Sequence, residues 1–420
     1  MRARGPRCQA PARTCPAHLV TPGATGEGDL DPVVFGQALL QAGTAGPGST
    51  VEALRALLSS TSLATDLTLY LVDYRLSVLL PVEPRAGTLL RPEPVDGPGV
   101  GAAYRRQRTE AQAAPAGALL HLPVTVRGQH LGVLTVTFPG PPPPYEQRAA
   151  RSVALAAAYL LLEAATGSDV YELGRRHGRL SLAAEMQWQL LPARAFRTPS
   201  FYVAGHLEPA LRVAGDAFDF AVDDDTLTLA VVDATASGGA CVTRGSGSSS
   251  SSAALLSTLA VTALRNARRA GLPLHEQAAL ASDMVYQHAR GRQHASVLLL
   301  QLDAGTGTAQ AVDAGSGALV RLRSGTTARQ ELDRQPPLGM LDDARYHSEP
   351  VDLATGDRAF VLDDTDVEDL ARAMDVLEQT RNERPQPSPP EAVRRLVAAL
   401  LPVERREDDT TVVCVDWVRP

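Results

Sequence analysis

Apolar and polar residues alternate with two different periods along this chain, and the changes of period mark its parts. Residues 35–40 and 51–58 place apolar side chains at helical spacing. Leu67-Thr-Leu-Tyr-Leu-Val-Asp73 then alternates with period two, as a half-buried strand does, and residues 76–82 read as its hairpin partner. Residues 119–126 and 131–138 read as two more strands, joined by a turn containing Arg127 and Gly128. A proline-rich link over 139–144 leads into a long helix over 145–163. The pattern predicts a first mixed α/β unit over residues 31–165.

Helical spacing returns over 169–191, where Leu182, Met186 and Leu190 share one face. Residues 166–192 are therefore expected to be a helical linker. Its apolar stripe either packs on the domain that follows or meets a second copy of the chain in a homodimer. Strands then follow at 201–206, 218–222 and 227–233, and two long helices at 253–270 and 274–290. Strands resume at 295–302, 308–313, 318–323 and 346–351; helices at 366–380 and 390–401 precede a last strand over 410–417. This order suits two antiparallel sheets packed face to face with helices outside. The expected class is α+β, with the αββα order in a second domain over residues 193–420. Gly245-Ser-Gly-Ser-Ser-Ser-Ser-Ser252 interrupts that pattern and reads as a flexible insertion.

With 420 residues the chain is long enough for two cores. A net charge of −7 gives no basis for nucleic-acid binding as a main activity. The longest apolar run, residues 153–162, is too short for a membrane span, which needs ~20 residues. Residues 1–30 are rich in Arg, Pro and Gly and lack the apolar stretch of a signal peptide, so they read as a disordered tail. Cys8, Cys15, Cys241 and Cys414 form no disulfide framework, and Cys8, Cys15 and His18 have too few partners for a zinc site. Cys414 lies in an expected strand as a small core residue. A reducing cytoplasm fits this cysteine usage.

Four acids far apart in sequence stand where apolar strands begin or end. They are Asp216 in Val213-Ala-Gly-Asp216, Asp233 closing Leu227-Thr-Leu-Ala-Val-Val-Asp233, Asp364 after Phe360-Val-Leu-Asp363, and Asp408 opening the last strand. Carboxylates gathered at one sheet rim repel one another unless a cation neutralises them, and Mg2+ or Mn2+ prefers such oxygen ligands.

The flanks of these acids resemble the metal-dependent serine/threonine phosphatases of the PPM superfamily (protein phosphatase 2C-like), and within it the SpoIIE branch that regulates sigma factors. Ala184-Glu-Met-Gln-Trp-Gln-Leu-Leu-Pro192, Pro209-Ala210 with Val213-Ala-Gly-Asp216, and Val231-Val-Asp233 with Gly238 occur in family order. Asp313-Ala-Gly315, Pro337-Leu-Gly-Met340, Gly356-Asp-Arg358 and Asp408-Asp-Thr-Thr411 continue it. Strands, an Arg-Gly turn and a closing helix over 31–165 resemble a GAF sensor domain, with no signature for a particular ligand.

The resemblance implies two Mn2+ or Mg2+ ions held by Asp216 and Asp233, the carbonyl of Ala234, Asp364 and Asp408. Asp364, rather than Asp363 or Asp366, follows from ungapped counting from Gly356-Asp-Arg358. Asp219 and Asp409 are expected to support the site or face solvent. The implied activity is hydrolysis of a phosphoserine or phosphothreonine, the substrate being a STAS-type anti-sigma-factor antagonist in a partner-switching pathway. Three departures from the branch, at Ala236-Ser-Gly238, Ala314-Gly-Ser316 and Asp363-Asp-Thr365, keep all four carboxylates. They leave a weakly catalytic pseudophosphatase scaffold as the alternative reading.

Overall fold

The computed structural model describes residues 30–418 apart from 83–90, 116, 177–180, 210–214, 224, 235–247, 316, 364–366, 381–382, 384 and 402–408. The front unit begins with helices α1 (Pro32–Gly43) and α2 (Thr50–Thr61). Asp31 caps α1 through its carboxylate, which accepts from the N–H groups of Val33 and Val34. Strands β1 (Asp66–Val72), β2 (Val78–Val82) and β3 (Glu93–Pro94), helix α3 (Val100–Arg106), strands β4 (Glu110–Ala114), β5 (Gly117–Val126) and β6 (Gln129–Phe138), and helix α4 (Pro144–Ala164) complete it. The six strands form one antiparallel sheet in the order β3-β2-β1-β6-β5-β4. Leu69, Leu71, Leu120 and Leu122 face the layer made by α1, α2 and α4, against Val153 and Ala157. Tyr70, Val72 and Val133 face the other way, against Tyr104 of α3. Both faces are covered, so β1, whose alternation predicts a half-buried strand, is instead buried on both sides from Leu69 to Val72.

The stretch expected as one helix is broken. Helix α5 (Val170–Gly174) stops at a glycine, and α6 (Leu182–Leu190) starts afresh at Ser181, an extended N-cap whose hydroxyl accepts from the N–H of Ala184. A cap residue with extended backbone cannot sit inside a helix, so 169–191 is not a continuous rod. Its apolar stripe also divides. Leu190 is buried and Met186 packs beside Ala254 of the following domain, while Leu182 is exposed.

The second half is a two-sheet sandwich. After β7 (Ala195–Arg197) come β8 (Phe201–Glu208), β9 (Ala217–Asp223), β10 (Thr226–Asp233), helices α7 (Ser248–Arg269) and α8 (Leu274–Ala289), and strands β11 (Ser296–Asp303) and β12 (Thr308–Ala314). The remainder is β13 (Ala318–Arg323), β14 (Thr326–Gln330), β15 (Glu349–Pro350), β16 (Arg358–Leu362), α9 (Val367–Thr380), α10 (Pro389–Leu400) and β17 (Thr410–Trp417). One sheet runs β15-β12-β11-β10-β9 and the other β14-β13-β16-β17-β8-β7, antiparallel throughout. Leu229, Val231 and Leu300 of the first sheet meet Val203, Val361 and Val413 of the second. Alternate residues point outward: Ala230, Val232 and Leu299 under α7 and α8, and Phe360, Val412 and Cys414 under α9 and α10. This is the αββα order anticipated from the strand and helix pattern.

Two local expectations fail for physical reasons, and two edge strands were not anticipated. Ser248–Ser252 belong to the first turns of α7, and the Ser252 hydroxyl accepts from Gln293, so these serines are not part of a loop. The strand expected over 346–351 shrinks to Glu349–Pro350, because Tyr346 instead packs under the α7–α8 layer and bonds Ser282 at 3.1 Å. Strands β4 and β14 escape a hydrophobic pattern because each is a mostly exposed edge. Among the described residues no helix is long and apolar enough to cross a membrane.

Candidate metal centre

The site forms at one end of the sandwich, where β9 and β10 of one sheet approach β16 and β17 of the other. Alternation along β10 turns Val231 and therefore Asp233 toward the sandwich interior, and the same rule turns Val361 and Asp363 inward on the facing sheet. Asp233 and Asp363 line one cleft with Ser296 and Gly317. Asp216 stands just before β9 and is buried.

The backbone that carries Asp216 is held by a hub. The Asp409 carboxylate oxygen Oδ2 accepts from the N–H of Gly215 at 3.0 Å, the N–H of Asp216 at 3.3 Å and Gln187 Nε2 at 2.7 Å. Gln187 also donates to the Asp216 carbonyl at 3.0 Å. The Thr411 hydroxyl donates to Asp216 Oδ2 at 3.1 Å, and the Thr411 N–H donates to Asp363 Oδ2 at 2.6 Å. Gly215 itself has φ +114°, and a Cβ there would lie 2.7 Å from the Ala234 carbonyl oxygen and from Ala253 Cβ. Only glycine brings the Asp216 loop this close to Ala234.

Burial, the first cause, raises the Asp216 carboxyl well above the usual carboxylate range; the hydrogen-bonded Asp363 and the charges of Asp233 and Asp409 raise it further. A cluster of this kind is stable in its charged form only with positive charge among it. The donors are all hard oxygens, and the Ala234 carbonyl lies against the same glycine. The residues present therefore fit a divalent cation of the Mg2+ or Mn2+ type. Among the described residues, no group of three or more His, Cys, Asp or Glu side chains is placed to hold a metal ion.

The expected residues are distributed as follows. Asp216, Asp233 and Ala234 come together; Asp364 and Asp408 lie outside the described residues, as do Gly238, Ser316 and Thr365. Asp219 is elsewhere: it points to the outer side of its sheet and binds Arg265 and Arg268 of α7, each at 2.8 Å. It is buried rather than solvent-facing. Asp409 supports the site through the backbone of Asp216. Sequence reasoning missed Gln187 and Thr411 as members of the cluster and set Asp363 aside in favour of Asp364. Gln187 sits in the Ala184–Pro192 motif, but helical periodicity gives a polar residue there no special weight.

Other motifs serve the scaffold. Leu338 exchanges two backbone hydrogen bonds with Ala295 at the head of β11, and the Gly339 N–H donates to Ser282 of α8. Asp357 accepts from Arg323 and from the Ala354 N–H, and Arg358 pairs with Asp416. The first two contacts fasten the segment before β15 to β11 and α8, and the last ones steady the start of β16 in the second sheet.

Residues 243–418 match the family described as Stage II sporulation protein E (SpoIIE). The matched segment runs from α7 to β17 and contains Asp364 and Asp408; Asp216 and Asp233 precede it. Among solved structures, the RsbU and RsbW domains of a Mycobacterium tuberculosis protein are 20% identical with a TM-score of 0.45, over 53% of this chain and 62% of that one. The PP2C phosphatase domain and regulatory fragment of Bacillus subtilis SpoIIE are 16% identical with a TM-score of 0.42, over 53% and 66%. The catalytic domain of the serine/threonine phosphatase PstP in complex with two manganese ions is 15% identical with a TM-score of 0.39, over 52% and 99%. No curated protein matches the chain.

Proposed function

We propose, from a C-terminal domain of the SpoIIE-type PPM phosphatase kind, that this chain hydrolyses phosphoserine or phosphothreonine on a protein substrate with the help of divalent cations. The observation that carries this reading is the gathering of Asp216, Asp233, Asp363 and Asp409 at one end of the sandwich, where Asp409 holds the Gly215 and Asp216 N–H groups, Thr411 bridges Asp216 and Asp363, and Asp233 and Asp363 line one cleft. Asp216, Asp233 and the Ala234 carbonyl, with Asp364 and Asp408, would hold two Mn2+ or Mg2+ ions. Asp363 is a further carboxylate within reach.

Such ions, when bound, supply a water of lowered pKa and neutralise phosphoryl oxygens. The chain's own work is to hold the carboxylates still. Thr411 orients the Asp216 carboxylate, Asp409 and Gln187 fix its backbone, and the packed sandwich prevents the two rims from drifting apart. Covalent catalysis by the one described cysteine is disfavoured, since Cys414 is buried on β17 and burial pushes its thiol up.

The substrate class we favour is a STAS-type anti-sigma-factor antagonist in a cytoplasmic partner-switching pathway, supported by the SpoIIE likeness. The front unit is read as a GAF-like sensor, supported by its six-stranded antiparallel sheet with helices on both faces. Hydrolysis of p-nitrophenyl phosphate with and without Mn2+ tests the activity. Asp233→Asn is expected to lower Mn2+-dependent turnover by orders of magnitude, because it removes charge from the group that holds the ion. Turnover by Asp233→Asn equal to that of the unaltered chain overturns the metal-site assignment.

A further inference from the structure

Helix α8 returns the chain to the cleft end of the sandwich, and its last turn and the loop beyond carry positive charge. Tyr286-Gln-His-Ala-Arg-Gly-Arg-Gln-His-Ala295 holds two arginines, two histidines and no acid, in a chain whose net charge is −7. The stretch leads directly into Ser296, which lines the cleft with Asp233 and Asp363. Arg290 and Arg292 are both exposed. Among the described residues neither is paired with a carboxylate, whereas Arg265 and Arg268 of α7 both bind Asp219. The nearest acids in sequence, Asp283, Asp342 and Asp343, pair with neither of them.

The loop is fixed along its length. Arg290 ends α8 in the left-handed conformation at φ 52°, its N–H donating to the Tyr286 carbonyl at 2.6 Å. The Arg292 N–H and Nε–H both donate to the Ala289 carbonyl, at 3.1 and 3.3 Å. Gln293 Nε2 donates to Ser252 of α7 at 3.1 Å, and Ala295 is bonded to Leu338 in both directions. A cation beside the last carbonyls of a helix is favourable in itself, and that accounts for one Nε–H of Arg292. The Arg290 guanidinium and the terminal nitrogens of Arg292 have no protein partner among the described residues.

The segment bonded to this loop adds apolar surface. Gly339 runs so close to α8 that a Cβ there would lie 2.2 Å from Val285 Cγ1, and the Met340 carbonyl oxygen is 3.3 Å from the place of a Gly291 Cβ. Met340 and Leu341, next in the chain, are 47% and 51% exposed. Arginine and methionine together are enriched where proteins touch one another, not on ordinary surface.

We propose that Arg290 and Arg292 are specificity-determining residues that dock an acidic stretch flanking the phosphorylated residue of the protein substrate. The inference rests on the phosphatase reading above and names the chemistry of its substrate. With the phosphorylated residue in the cleft at Ser296, an extended partner chain rising about 3.3 Å per residue passes the arginines within a few positions. Guanidinium groups that no carboxylate of this chain occupies pair with an acidic flank, and a neutral or basic flank leaves them unmatched.

The test is hydrolysis by the full-length chain, at saturating Mn2+, of a phosphoserine peptide flanked by Asp and Glu and of the same peptide with Asn and Gln in their place. p-Nitrophenyl phosphate, which has no flank to dock, is the control, and thermal melts establish that each variant is folded. The unaltered chain is expected to prefer the acidic peptide about tenfold in kcat/KM, mainly through KM, as two exposed ion pairs supply. High salt is expected to erase that preference. Arg290→Gln/Arg292→Gln is expected to treat the two peptides alike and to hydrolyse p-nitrophenyl phosphate as the unaltered chain does. Arg290→Lys/Arg292→Lys keeps the charge and is expected to keep most of the preference. If the double Gln variant folds poorly, Arg290→Gln alone removes a guanidinium that makes no bond to the fold and is expected to narrow the preference. Equal kcat/KM of the unaltered chain for the two peptides overturns the docking role, as does a loss in the Gln variants that falls equally on both peptides and on p-nitrophenyl phosphate. Fluorescence anisotropy of the labelled peptides reads the same preference without turnover. Hydrolysis of no substrate by the unaltered chain thus overturns the phosphatase reading, while equal binding of the two peptides overturns the docking role.

Discussion

Each carboxylate at the sandwich end is defined by what surrounds it rather than by its own chemistry. Asp219, three residues from Asp216, is neutralised by two arginines on the outer side of the sheet. Asp216 is raised by burial first and then by the neighbouring acids Asp363, Asp233 and Asp409. Asp313 offers a third environment. It lies on the inner face of β12, opposite Leu298, with Oδ1 lacking a hydrogen-bond partner and Arg334 3.9 Å from Oδ2. Burial pushes its carboxyl up from 3.8 to about 6, against the opposing pull of Arg334. Because the folded-state value is raised, the stability linked to this group is full below pH 3.8 and is lost as pH rises through about 6. Asp313→Asn has no proton to lose there. Urea denaturation at pH about 4 and about 7 is expected to show the variant gaining on the unaltered chain at the higher pH. A constant difference between the two pH values contradicts the assignment.

At the scale of elements, the short approach to β9 decides whether the site exists. Gly215→Ala places a Cβ against the Ala234 carbonyl and Ala253 and requires a positive φ that alanine resists. The strain alone costs on the order of 1–3 kcal/mol. Chemical denaturation is expected to register at least that loss, and Mn2+ affinity to fall with it, since the same backbone carries Asp216. Equal stability in the variant excludes the tight approach of this loop to Ala234. The helices and central strands were legible because their residues face a covered layer at a fixed period. Edge strands β4 and β14 were not, because an edge has one neighbour and needs few apolar side chains. The break between α5 and α6 was missed because the helical spacing of Leu182, Met186 and Leu190 was extended back over the polar stretch 174–179, whereas Ser181 as an N-cap is a backbone feature.

At the scale of the molecule, the front unit and the sandwich share more than a connection. Arg197 N–H donates to the Arg127 carbonyl, the Tyr202 hydroxyl donates to the Gly128 carbonyl, and Arg394 of α10 pairs with Asp96. A fragment starting at Ser181 loses all of these together with the Tyr74–Trp188 stack. Differential melting is expected to show a lower Tm for the fragment than for the full chain. Equal melting of the fragment and the full chain would make the front unit a passive neighbour.

The sequence by itself determined the layered order of the second half. Period-two apolar runs separated by helical spacing admit few packings, and the acids at their ends already marked a rim. It also indicated Asp216 and Asp233, since strand alternation turns the residue closing Leu227-Thr-Leu-Ala-Val-Val-Asp233 toward the interior. Tertiary structure alone decided which acids meet. Asp219 and Asp216 are neighbours in sequence but face opposite sides of a sheet, while Asp409 and Gln187, more than two hundred residues apart, share a hydrogen bond. Periodicity records which face of an element is buried and carries no information about which other element supplies the charge or the hydrogen bond that greets it. The stacking of Tyr74 on Trp188 belongs to the same class, because contact between two separately packed units depends on their docking, which no local pattern encodes.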